Sequence, residues 1–135
     1  MERTLVLIKP DGVERKLIGE IISFYERKNL KIIGLKMTVA SKDIAKMHYE
    51  EHASRDYFDN LISYITEERL CALVVEGSNA VEIVRKINGD KDPLKSDVGS
   101  VRGKFASERT RNLVHASDSV QNAEREIKIW FPELA

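Results

Sequence analysis

The chain has 135 residues, 42% hydrophobic and 33% charged, enough for one domain over residues 1–135 with a real core and too few for two comfortable ones. Its 22 basic and 22 acidic side chains cancel, which excludes a bulk field for nucleic acid or an anionic membrane, so neither is expected as a main partner. The lone cysteine, Cys71, excludes a disulfide framework, and the lack of a long apolar stretch or a signal-like start leads us to expect a soluble, cytoplasmic protein.

Thr4-Leu5-Val6-Leu7-Ile8 is a continuous, partly β-branched apolar run that predicts a buried strand, with Lys9-Pro10-Asp11-Gly12 after it as a turn. Apolar residues at Leu17, Ile18, Ile21, Ile22, Phe24 and Tyr25 follow helical spacing as far as Lys28, and Asn29 is a reasonable stop. Between Leu30 and Val39 the apolar residues mostly alternate, so a second strand is expected. Ser41 is suited to cap a helix over 42–51, and Tyr57, Phe58, Leu61, Ile62 and Ile65 stripe another over 55–66. Leu70 to Val75 reads as the third strand, followed by a helix capped by Ser78 and ending at Gly89. A loop over 90–100 and a short segment over 101–105 lead to the last strand and helix.

That last stretch, Asn112-Leu113-Val114-His115-Ala116-Ser117-Asp118-Ser119, organises the chain. Leu-Val delivers His115 to the end of a short buried strand, and Ser-Asp-Ser supplies helix-start chemistry, so the imidazole stands where backbone N–H groups favour anions. Asp118 with Gln121 fits a capping pattern for a helix from about Ser119 to Ile127. Glu126, two turns along, could reach back to the ring. A histidine near anion-binding amides, with a carboxylate to orient one nitrogen, suits a phosphoryl-accepting nucleophile, although a lone histidine after an apolar run is more often structural. Taken singly, Lys9 reads first as a snorkelling surface lysine and Arg85 as a solvated charge, and a plain turn explains the Gly-flanked segment around Arg102.

The order of strands and helices suits an α+β fold of the ferredoxin-like, split β-α-β type, a four-stranded antiparallel sheet with helices on one face. No repeat or linker divides the chain.

The residues also resemble the nucleoside diphosphate kinase family over essentially the whole length. The match lies in Thr-Leu-Val-Leu-Ile-Lys-Pro-Asp-Gly at 4–12, Leu-Ile-Gly-Glu-Ile-Ile at 17–22, His48-Tyr49, Glu76-Gly77 and Val84-Arg85. It continues in Arg102-Gly103, the Asn-x-x-His-x-Ser-Asp-Ser block, Glu126 and Trp130-Phe131. The resemblance implies ping-pong exchange of a γ-phosphoryl group between nucleoside tri- and diphosphates. His115 would be the nucleophile, Glu126 the carboxylate holding its ring, and Ser117 a support of that network. Lys9, Tyr49, Arg85 and Arg102 would surround the phosphates, Asn112 would meet the sugar, and Tyr57 and Leu61 would pack on the base. Mg²⁺ would ride on phosphate oxygens and waters, since the sequence offers no convincing protein cage and no metal ligand is assigned. The resemblance also implies a homo-oligomer, with Pro93 at a position used in hexamer contacts, so a hexamer is favoured over a tetramer.

Several positions depart from the family pattern. Tyr57 stands for a phenylalanine, Lys91 for a threonine that contacts phosphate, and Arg109 for a small aliphatic residue on the other face of the base. Ala116 and Thr110 replace glycines, and Glu68-Arg69 replaces Gly-Pro. A catalytically silent relative would have lost some of Lys9, Arg102, His115 and Glu126, and all four are present.

Overall fold

The computed structural model describes residues 1–135. Four strands, β1 (Glu2–Ile8), β2 (Lys31–Thr38), β3 (Leu70–Gly77) and β4 (Val114–Ala116), form one antiparallel sheet in the order β2-β3-β1-β4. Seven helices connect them: α1 (Pro10–Glu14), α2 (Ile18–Arg27), α3 (Lys42–His48), α4 (Phe58–Thr66), α5 (Ala80–Asn88), α6 (Val101–Phe105) and α7 (Val120–Trp130). β3 lies between β1 and β2, which is the split β-α-β arrangement that the element order predicts.

Helices were expected on one face only; they cover both. The reason is in β1 and β3, whose stretches Leu5–Ile8 and Leu70–Val75 are apolar at every position and so present two apolar sides to be buried. Leu5, Leu7, Leu70, Ala72 and Val74 pack with α3, α4 and α7, whereas Val6, Ile8, Cys71, Leu73 and Val75 pack with α2, α5 and α6. No helix is long and apolar enough to cross a membrane.

Local chemistry changes some ends. The expected turn at Lys9-Pro10-Asp11-Gly12 is the start of α1, with Pro10 in the first helical turn, where a missing N–H costs nothing. Ser119, rather than Asp118, caps α7 by accepting from Asn122 N, and the helix runs on past Ile127 to Trp130. Asn79 in the left-handed region, rather than Ser78, precedes α5. The 101–105 segment is helical, capped by Ser100. It packs so closely that a Cβ on Gly103 would stand 1.9 Å from the Asp97 carbonyl oxygen, which is why only glycine follows Arg102.

Candidate active site

β4 pairs with β1, setting His115 opposite Leu7 as the middle residue of a three-residue strand. The ring is half-buried, and its Nε2 lies 2.9 Å from Glu126 Oε1 on α7. The Ser117 hydroxyl donates to the same oxygen at 2.7 Å and itself accepts from Leu5 N, so β1 holds the serine that holds the carboxylate. Glu126 is buried, with Arg125 Nη2 3.7 Å from its other oxygen. A carboxylate that accepts from Nε2–H leaves the lone pair of a neutral imidazole on Nδ1.

The turn before β4 is strained. Leu113 is buried at φ 78°, and Val114 N donates to Asn112 O at 2.9 Å, closing a γ-turn. Three neighbours hold it there. Lys9 N donates to Leu113 O at 2.8 Å, and Leu113 N donates to Asp11 Oδ2 at 3.2 Å. Arg102 donates from Nε to Asn112 O, from Nη1 to Gly89 O at 2.7 Å, and from Nη2 to Val114 O. Asp11 also accepts from the Tyr64 hydroxyl. Three segments distant in sequence therefore aim one short strand.

The same contacts gather cations. Lys9 is buried and donates from Nζ to Asn112 Oδ1 at 2.9 Å. Burial pushes its pKa down to about 7, with the charges of Arg102 and Lys91 acting in the same direction and Asp11 opposing. Burial also holds the Arg102 guanidinium below its usual value, and Arg85 pulls the same way. Arg85 and Lys91 are exposed at the rim, without a hydrogen bond or ion pair from either side chain.

The remaining expected residues divide. Tyr49 is buried, its ring edge-on to His48 at 4.7 Å, so it forms the wall behind the site instead of standing free among the cations. Tyr57 is 42% exposed at the start of α4, and Leu61 packs half-buried one turn along. Arg109 is exposed, and only its carbonyl is engaged, by Asn112 Nδ2 at 3.0 Å. Ala116 and Thr110, which replace glycines, do not have positive φ, so a Cβ costs nothing there.

His48 carries a contact the sequence does not reveal. It is 2% exposed, accepts from Trp130 Nε1 at 3.1 Å, and meets His115 edge to face at 4.5 Å. Burial first, then the charges of His115, Arg125 and Lys9, push its pKa well below the usual histidine value, so the ring is neutral. His48, His115 and Glu126 bring their ligand atoms within 4.8 Å of one another. Two imidazoles and one carboxylate suit a borderline-soft ion and not Mg²⁺, which prefers oxygen ligands.

The sequence profile of the family described as "Nucleoside diphosphate kinase" matches residues 2–135. The chain belongs to the nucleoside diphosphate kinase family. A Corynebacterium diphtheriae protein named nucleoside diphosphate kinase is 54% identical over 134 residues, covering 98% of each chain. One from Thermobifida fusca, with the same name, is 50% identical over 135 residues and covers both chains fully. A crystal structure of a nucleoside diphosphate kinase family protein from Babesia bovis superposes with a TM-score of 0.96 at 40% identity, covering 98% of this chain and 90% of that one. The sheet order and the helices on both faces are therefore those of a nucleoside diphosphate kinase.

Proposed function

We propose that this chain is a nucleoside diphosphate kinase acting as one unit over residues 1–135, and that it moves the γ-phosphoryl group of a nucleoside triphosphate to a nucleoside diphosphate through His115. The observation that carries the reading is the His115 Nε2 to Glu126 bond of 2.9 Å, which leaves Nδ1 as the nucleophile. In the first half-reaction the Nδ1–P bond forms as the bond from the γ-phosphorus to its bridging oxygen breaks. The electron pair leaves on the β-phosphate of the departing diphosphate. In the second, a terminal oxygen of another diphosphate attacks the same phosphorus and the N–P bond breaks. Nε2 keeps its proton throughout, and Glu126, steadied by Ser117, balances the positive ring of the phosphorylated state.

Transfer of this kind depends on charge stabilisation and alignment. Lys9 and Arg102 face the phosphates from the floor, Arg85 and Lys91 from the rim, with Tyr49 closing the back wall. Asn112, already tied to Lys9 Nζ, meets the sugar, while Tyr57 and Leu61 support the base and Arg109 approaches its other side. Mg²⁺, when bound, would be held by the nucleotide's phosphate oxygens and would offset their charge, since the buried Lys9 and Arg102 are cationic and offer it no ligand. A homo-oligomer, hexamer before tetramer, in the cytoplasm completes the reading.

Incubation with radiolabelled ATP and Mg²⁺ tests it. Wild type is expected to give an acid-labile, alkali-stable phosphoenzyme that ADP discharges, and His115→Ala none. Equal labelling of the two proteins would remove the nucleophile from the scheme.

A further inference from the structure

His52 makes the one hydrogen bond of the Tyr57 side chain: its Nδ1 lies 2.9 Å from the phenolic oxygen, with the rings tilted at 5.6 Å. The bond closes over the loop 53–56, whose residues are all exposed and give the start of α4 no side-chain cap. His52 is anchored on its other side. It is half-buried, and its ring stands 6.2 Å from that of Tyr49, a buried core residue that touches His48. With the phenol donating, the His52 proton sits on Nε2, the nitrogen 3.9 Å from the Glu51 carboxylate. A run of contacting rings thus links Tyr57 to the wall that carries His115.

We propose that His52 is a positioning residue that holds the Tyr57 ring as a fixed platform for the nucleobase. The inference rests on the reading of Tyr57 as a base support. An exposed tyrosine samples several rotamers, and a base that stacks on it must first freeze them; a ring already tethered skips that loss. Phenylalanine, the usual residue in the family, cannot be tethered in this way, so the hydroxyl at position 57 gains a purpose that stacking alone does not explain. The same tie predicts that the effect lies on nucleotide binding and not on the chemical step.

The test compares wild type, His52→Phe, His52→Asn, Tyr57→Phe and the His52→Phe/Tyr57→Phe double variant by ADP calorimetry and steady-state kinetics. His52→Phe keeps ring packing and loses the acceptor; His52→Asn keeps an acceptor oxygen near the place of Nδ1. His52→Phe is expected to raise Kd and KM for ADP about threefold with kcat nearly unchanged, the size of one modest hydrogen bond. His52→Asn should bind as wild type, and His52→Phe should have no further effect once Tyr57 is phenylalanine. Wild-type affinity in His52→Phe, equal weakening in both His52 variants, or additive losses in the double variant would overturn the proposal. A wild type that does not bind ADP would instead remove the nucleotide reading, and this inference with it.

Discussion

At the scale of single residues, the sharpest consequence lies with Lys9. Its pKa of about 7 means that near pH 8 the free protein carries this lysine mostly neutral. A polyphosphate bound beside it favours the cation and raises that pKa. ADP binding at pH 8 should therefore take up about one proton, seen as a dependence of the binding enthalpy on the buffer's ionisation enthalpy. An enthalpy independent of buffer would show Lys9 already charged. The same lowered value has a stability sign: between about 7 and the ordinary 10.5 the unfolded chain binds more protons, so stability should rise with pH across that window. Glu126→Ala strips both Ser117 Oγ–H and His115 Nε2–H of their acceptor. It should cost about 1–3 kcal/mol in urea unfolding and lower kcat about 100-fold. His115, Glu126 and Ser117 were legible because the motif places them on one strand-to-helix junction. His48 was not, since its role comes from α3 crossing behind β4, a contact between residues 67 positions apart that no local pattern encodes.

Among the elements, α1 and the Leu113 turn depend on each other. Asp11, the third residue of Lys-Pro-Asp-Gly, satisfies both Leu113 N–H and the Tyr64 hydroxyl. Asp11→Ala leaves both without that partner and frees the strained turn, so a loss of about 2–4 kcal/mol in urea unfolding is expected, with nucleotide turnover falling alongside. An unchanged stability would mean the turn is held by Lys9 and Arg102 alone. Lys16 offers the opposite case: it is exposed at φ 63°, just after α1, where glycine belongs. Lys16→Gly should therefore stabilise the chain by about 0.5–1 kcal/mol, measured the same way. Continuous apolar runs made β1 and β3 readable in advance, helical spacing α2 and α4, and cap chemistry the body of α7. α1 and α6 are five residues each, little more than one turn, too short for any periodicity to register. The strain at Leu113 is equally silent in the sequence, because leucine ordinarily avoids positive φ and only the surrounding contacts force it there.

For the whole molecule, covering both faces of the sheet leaves the edges and loops as the unpaired apolar surface. β2 is an edge strand, and Leu35, Met37 and Val39 stand 59%, 49% and 54% exposed at alternate positions along and just beyond it, an invitation to pair with another chain. A separate apolar patch lies in the loop after α5, where Leu94 is 93% and Val98 84% exposed next to Pro93. One self-complementary patch closes into a dimer and grows no further; two independent patches, one two-fold and one three-fold, close into a hexamer. Light scattering of the wild type should therefore give six times the 15.4 kDa subunit mass. Met37→Lys, which puts a charge on the β2 edge, should leave trimers, and Leu94→Lys, which does the same in the loop, should leave dimers. A tetramer would assign the loop patch to some other contact, a monomeric wild type would remove both interfaces, and identical products from the two variants would show that the patches act as one.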